Sequence, residues 1–333
     1  MEETRVIAVG ASAGGVEALS RLVSALPSDI DAAILVVLHL SPDLPSYLPR
    51  ILERQGSLPA SHAVDGAPVL RGHIHVAPPD RHLHVEDGEL RVRQGSRENR
   101  HRPSIDVLLR SAAVEYGPRA IGVVLSGALD DGVAGMEAIV RCGGHALVQE
   151  PSDADHPFLP QNVLNAVPGV EAHPVEILVK RLQALVTQST PANVPADAGV
   201  ELGTLELRIG QHMGSAEDMS RLGDPSGLSC TECNGALTRV ADTRQLRFRC
   251  HTGHAYTASS LYNEQNEQAE RPLWQALRQM RETADTSRAL IAHAHHAGAP
   301  VHAAQYQEQL RQAEQGIATL HRLVTVETGA EPG

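Results

Sequence analysis

Up to about residue 186 the chain alternates between two hydrophobic rhythms. Short, nearly unbroken apolar runs occur at "RVIAVG" (5–10), "AAILVVLHL" (32–40), "AIGVVLSG" (120–127) and "HALVQE" (145–150). Runs without polar alternation suit strands covered on both faces, as in a parallel sheet. Between them, near 15–25, 43–55, 104–116 and 132–142, apolar residues recur at three- and four-residue spacing, which predicts helices. Pro103 and Ser104 ahead of "IDVLL" supply a helix start. This alternation predicts an α/β fold with a doubly wound, mostly parallel sheet. One segment departs from it. "GHIHVAPPDRHLHVEDGELRV" (72–92) has period two and carries Asp87-Gly88, a hairpin turn signal, so it reads as an antiparallel excursion attached to the sheet. "VEILVKRLQALV" (175–186) closes the first domain, residues 1–186, as a helix.

The pattern then changes. Residues 187–228 are rich in Pro, Ala, Gly and Thr and read as a linker, in which only "TLELRI" (204–209) looks able to pair as a strand. A cysteine-bearing module follows at 229–257. Beyond it, 258–325 holds two long helical patterns, 258–295 and 302–325, broken at "AGAP" (297–300), which predicts an antiparallel helical pair. In the cysteine module Cys230-x2-Cys233 and Cys250-x3-His254 are separated by sixteen residues. Two such knuckles joined by a hairpin bring four ligands around one tetrahedral zinc, with no position left open for water. The module therefore reads as a zinc ribbon with a structural metal. His251 is the rival fourth ligand, but Cys-His ligation by adjacent residues is strained, which favours His254.

Composition narrows the function classes. Hydrophobic residues are 42% of the chain and aromatic residues only 2%, so the core must be aliphatic. The net charge of −12 and the shortage of stacking residues argue against nucleic acid as partner, although Arg239, Arg244, Arg247 and Arg249 sit on the ribbon. They read as a solvated face, and a docking role toward a receptor or kinase is the more natural one for the module. No stretch reaches the length of a bilayer span, and the acidic start "MEETRVIAVG" does not resemble a secretory signal. A cytoplasmic location is expected, consistent with cysteines grouped as ligands rather than as a disulfide framework.

The first strand runs into "GASAGG" (10–15), a strand-to-helix turn that suits either a phosphate cradle or an exposed serine. The phosphate reading lacks its parts. The middle glycine of G-x-G-x-x-G is Ser12, the second strand ends at His39 rather than an acid, and there is no P-loop lysine. Gly10-Ala-Ser12-Ala-Gly14 instead matches G-x-S-x-G, which lifts a hydroxyl above the sheet edge. His39 at the end of the second strand and Asp130 or Asp131 after the third complete a candidate nucleophile, base and orienting acid at one edge of the sheet. Backbone N–H groups around Ser12 and Ala13 are candidates for an oxyanion site. His73, His75, His82 and His84 sit at i, i+2 spacing across the predicted hairpin, a spacing that could mimic a metal site. The run at 293–296 reads as an exposed helical face.

Taken together, "GASAGGVEAL", "VVLHLSPD", "VAPPDRHL", "RPSIDVLL" and "VLSGALDDGVAGM" resemble, in order, the CheB-type protein-glutamate methylesterases of bacterial chemotaxis over about residues 4–186. The resemblance implies Ser12 as nucleophile, His39 as base and Asp131 as orienting acid. It also implies hydrolysis of glutamyl methyl esters on chemoreceptor helices with release of methanol, possible deamidation of glutamines, and no catalytic cofactor. Familiar members carry an N-terminal receiver domain, which is not expected here because the chain starts at the catalytic strand. Ala13 stands where the family often has threonine, and Ala128 removes a bulky wall beside the substrate. These departures motivate the alternative of a non-catalytic regulatory binding protein in a chemotaxis-like pathway, while the three chemical groups favour the enzyme.

Overall fold

In the computed structural model residues 4–189 and 197–326 are described. They fall into two compact units, one ending at Leu261 and the other beginning at Tyr262.

The first unit is built on a seven-stranded parallel sheet. Its strands are β1 (Arg5–Ala11), β2 (Ala32–Leu38), β3 (Ala60–His62), β4 (Ile74–Val76), β7 (Ala120–Val124), β8 (His145–Gln149) and β9 (Glu171–His173), in the order β3-β4-β2-β1-β7-β8-β9. β1 is central, and the chain winds outward from it first one way and then the other, as expected for a doubly wound sheet. The unbroken apolar runs are explained by two cores. On β1, Val6 and Ala8 face one core with α3 (Ile105–Tyr116) and α4 (Val133–Arg141). Ile7 and Val9 face the other with α1 (Gly15–Ala25), α2 (Leu48–Gln55) and α6 (Val175–Thr187). Both cores are almost wholly aliphatic, as the scarcity of aromatic residues requires.

Two local expectations change. Of the period-two segment, β4 joins the parallel sheet beside β2, and only β5 (His82–Glu86) and β6 (Glu89–Arg93) form the antiparallel hairpin, turning at Asp87-Gly88. A further helix, α5 (Phe158–Ala166), follows β8.

Residues 187–228, expected as a linker, instead carry regular structure wherever they are described, apart from short connections. α7 (Asp197–Gly210) and α8 (Ala216–Leu222) lead into β10 (Gly223–Ser229). "TLELRI", expected as a strand, lies inside α7, whose Leu205 and Ile209 are buried against Leu222 and Val240. β10 pairs in an antiparallel sheet with β11 (Ala236–Val240), β12 (Arg247–Cys250) and β13 (Ala255–Thr257). The ribbon arginines also divide. Arg239 and Arg244 are exposed, but Arg247 and Arg249 are buried, contrary to a solvated face. Their partners are Glu206 of α7 and Glu98, which also pair with Arg110 of α3. This ion cluster joins three segments distant in sequence.

The second unit is an antiparallel helical pair formed by most of α9 (Ala258–His296) and by α10 (Pro300–Val326). Arg288 pairs with Glu314 at 2.8 Å across it, and buried small residues such as Ala284, Ala303 and Ala313 line its seam. Among the described residues no helix is long and apolar enough to cross a membrane.

Candidate active site

The sharp turn after β1 depends on glycine. Gly14 caps α1 with φ 70°, and a Cβ there would fall 2.6 Å from Ser126 Oγ. Gly10 lets the start of α3 approach, since a Cβ would lie 2.1 Å from Ile105 Cγ2. The turn sets Ser12 at the carboxyl edge of the sheet, where β2 delivers His39 and the loop after β7 delivers Asp131. His39 Nδ1 lies 3.1 Å from Ser12 Oγ, and His39 Nε2 lies 2.8 Å from Asp131 Oδ2. A proton on Nε2 donates to the carboxylate and leaves Nδ1 to accept from the serine hydroxyl.

Asp131 is held by more than the imidazole. Oδ1 accepts from Ser104 Oγ at 2.8 Å and Asn99 Nδ2 at 3.2 Å, and Oδ2 accepts from the Ile105 N–H at 2.7 Å. Burial alone would raise its pKa. The hydrogen bond and charge of His39, the nearby His101 and the Ile105 N–H outweigh burial and hold Asp131 well below the ordinary carboxylate range. Asp106 moves the other way: burial, and then the negative charge of Asp131, push it up. One carboxylate of the two is thus kept ionised at the histidine. Against a face of the His39 ring, His101 stacks with ring centroids 3.6 Å apart and an interplanar angle of 9°. Burial, with His39 as a lesser contributor, brings His101 down to about 4 and keeps it neutral.

Such a serine–imidazole–carboxylate chain at the edge of a doubly wound sheet is a hydrolase constellation, and its sequence setting agrees with that of known proteins. Residues 7–182 match the CheB methylesterase family. The chain belongs to this family. It is 34% identical over 189 residues to "Protein-glutamate methylesterase/protein-glutamine glutaminase 1" of Xanthomonas euvesicatoria pv. vesicatoria, an alignment covering 56% of this chain and 52% of the relative. It is 37% identical over 166 residues to "Protein-glutamate methylesterase/protein-glutamine glutaminase 4" of Myxococcus xanthus, covering 50% and 45%. The chain thus spans about half the length of the curated relatives it matches. The crystal structure of the Thermotoga maritima CheB methylesterase catalytic domain superposes with a TM-score of 0.52 at 26% identity, covering 55% of this chain and 98% of that one.

Within this CheB methylesterase domain, the neighbouring acid, Asp130, does not reach His39. It faces the ribbon, with Gln245 Nε2 3.4 Å away, and burial raises its pKa. The Ser12 N–H, expected at an oxyanion site, donates instead to Ser126 O at 3.0 Å. Ala13 is at the half-buried turn, and its N–H has no hydrogen-bond partner among the described residues. Ala128 is half-buried in the loop before Asp131, next to Leu129, whose φ of 65° marks a constrained backbone. His82 is structural: one ring nitrogen contacts Ser96 O at 2.8 Å and the other accepts from the Ser104 N–H at 3.2 Å. His75 is likewise turned inward, accepting from the Leu70 N–H. Asp80 pairs with Arg102. Ser104, Asn99 and His101 were not foreseen in these roles. Ser104 is readable from sequence only as the cap of α3, whose Val107 N–H it accepts.

In the ribbon, one donor atom from each of Cys230, Cys233, Cys250 and His254 lies within 4.8 Å of the others. His251 is not part of this group; it is exposed.

Proposed function

We propose that the protein is a protein-glutamate methylesterase, a serine hydrolase that removes methyl esters from glutamate side chains of chemoreceptors and releases methanol. The hydrogen-bonded chain Ser12–His39–Asp131 carries this reading. Ser12 Oγ adds to the ester carbonyl while His39 Nδ1 takes the hydroxyl proton. Asp131 keeps Nε2 protonated and stabilises the imidazolium. The Ala13 N–H, unlike that of Ser12, is a main-chain donor open to the developing oxyanion. Collapse expels methoxide, which takes the proton from His39 and leaves as methanol. Water, deprotonated by His39, then attacks the acyl-serine, and Ser12 regains its proton as the glutamate carboxylate departs. A glutamine amide would follow the same course with ammonia leaving. Neither reaction needs a cofactor.

The ribbon group fits a structural zinc. Tetrahedral zinc with Zn–S near 2.3 Å and Zn–N near 2.05 Å separates two sulfurs by about 3.8 Å, and sulfur from nitrogen by about 3.6 Å. The corresponding distances are 3.7 Å for Cys233–Cys250, and 3.6 and 3.5 Å from His254 Nδ1 to Cys230 and Cys250. Three thiolates and one imidazole fill the coordination sphere, so the metal would hold the knuckles together and take no part in hydrolysis.

The test is methanol release from membranes bearing methylated chemoreceptors by the wild type, Ser12→Ala and His39→Ala. Release by the wild type alone supports the reading. No release, with Ser12 still labelled by a serine-directed phosphonate, would mean a hydrolase for another ester or amide. Neither release nor labelling would favour a non-catalytic regulatory protein.

A further inference from the structure

Asn99 is 4% exposed and its backbone is left-handed, with φ 49°. What holds it there is the ribbon. Its N–H donates to Ala255 O at 2.8 Å, and Ala255 N–H donates to Arg97 O at 3.3 Å, so residues 97–99 run as an extra edge beside β13. The Asn99 side chain completes the connection. Oδ1 accepts from the Thr257 N–H at 2.9 Å and from Ser260 Oγ at 3.0 Å. The Thr257 N–H, a main-chain donor that cannot reverse, settles which end of the amide is oxygen. Nδ2 therefore points the other way, between two buried carboxylates, 3.2 Å from Asp131 Oδ1 and 3.0 Å from Asp106 Oδ2.

The neighbouring contacts reinforce this seam. Glu98 is locked by Arg249 of the ribbon at 2.7 Å, and Ser96 Oγ donates to Thr252 O at 2.6 Å, inside the knuckle of Cys250 and His254. The segment that brings Asn99, His101 and Ser104 to the active site is therefore fastened along one side by the ribbon. Its other attachments, such as Ser104 against Asp131, come from the catalytic domain itself.

We propose that the ribbon belongs to the catalytic machinery: Thr257 and Ser260 orient Asn99, and Asn99 positions Asp131 against His39. Asn99 is a positioning residue. It touches the carboxylate and not the substrate, and its two-sided amide transmits the placement of the ribbon to the acid. Without Asn99 the carboxylate keeps only Ser104 Oγ and the Ile105 N–H besides His39, so it is held less firmly against the Nε2 proton, which weakens its support of the imidazolium just as the transition state forms it. The inference rests on the serine-hydrolase reading for its kinetic consequence, but not for its geometric one.

Asn99→Ala and Ser260→Ala separate the two. Both are compared with the wild type in steady-state ester hydrolysis. In addition, proton NMR follows the low-field resonance of the proton shared by His39 and Asp131. Asn99→Ala should lower kcat about ten-fold, the size of one hydrogen bond to a charged group, with KM changed less than about two-fold. It should also shift or broaden the resonance. Ser260→Ala should act in the same direction more weakly. Lower melting temperatures with unchanged kcat and an unchanged resonance would make Asn99 a purely structural contact and overturn the proposal. Should the wild type release no methanol, the methylesterase reading fails, yet the resonance still decides the positioning role: a shift in Asn99→Ala supports it and no shift overturns it. If Asn99→Ala does not fold, Ser260→Ala decides alone, because it leaves every side chain of the catalytic domain in place.

Discussion

Replacing Asp131 by asparagine removes a charge while keeping the shape of the side chain, and the donors around it decide which way the new amide turns. The Oδ2 position faces the Ile105 N–H at 2.7 Å, a main-chain donor that cannot reverse, and His39 Nε2 at 2.8 Å. The Oδ1 position faces Ser104 Oγ at 2.8 Å, a hydroxyl that can rotate to accept, and Asn99 Nδ2 at 3.2 Å. Each side thus has one donor that cannot reverse, the Ile105 N–H at 2.7 Å and Asn99 Nδ2 at 3.2 Å, and the closer of the two should direct the amide oxygen to the Oδ2 position. His39 then keeps its proton on Nε2, and Nδ1 stays free for the Ser12 proton. What is lost is the attraction between carboxylate and imidazolium. For charges about 4 Å apart at an effective dielectric near 20 this attraction is about 4 kcal/mol. The neutral hydrogen bond retained by the amide recovers about 1–2 kcal/mol of that. The remaining 2–3 kcal/mol predicts a kcat lower by about 30- to 150-fold. An amide that turned its NH2 toward the ring would instead trap the wrong tautomer, a defect that costs about 10⁴-fold in a serine protease triad. Methanol release at saturating methylated receptor, with circular dichroism as the check on folding, measures the difference. A loss near 10⁴-fold, or no loss at all, would refute the argument about the donors.

Three other outcomes are expected. Glu206→Gln leaves the buried guanidinium groups of Arg110, Arg247 and Arg249 facing Glu98 alone, so denaturant unfolding should show a loss of about 3–5 kcal/mol, and a loss below about 1 kcal/mol would contradict the cluster's role. The purified protein should hold about one zinc per chain, and Cys230→Ser or a strong chelator should remove it and raise the protease sensitivity of residues 223–257, whereas metal-free wild type with an intact ribbon would dismiss the site. Burial holds His75 and His101 down to about 4 and His84 down to about 3, while the unfolded chain titrates near 6.5. The unfolded state therefore binds more protons between those values, and the melting temperature should fall as pH drops from about 6.5 toward 4; a flat profile would mean that these imidazoles are charged in the fold.

The parts that could be read from sequence share a physical origin. β1, β2, β7 and β8 are legible because a strand covered on both faces must be apolar at successive positions, and α1, α3 and α4 because their buried faces repeat every three or four residues. Ser12, His39 and Asp131 follow from that reading, since each lies just beyond a strand whose end is visible. α7 is not legible in the same way. Six residues of alternating character, "TLELRI", fit a strand, and only the larger context shows Leu202, Leu205 and Ile209 sharing one helical face. The same limit conceals the most consequential polar contacts. Asn99 meets Asp131 across 32 residues and Ser260 across 161; Arg249 meets Glu98 across 151. A buried arginine and a solvated one look alike until the carboxylate that neutralises the buried one is in place. A hydrogen-bonded asparagine leaves no periodic trace at all. Burial of apolar faces is written locally, whereas burial of charge depends on a partner supplied from elsewhere in the chain. The contacts that fasten the ribbon beside Asp131, main-chain pairing with Ala255, Asn99 with Ser260 and Arg249 with Glu98, likewise need partners from far along the chain, which is why the ribbon reads from sequence as an appendage and from structure as part of the wall behind Asp131.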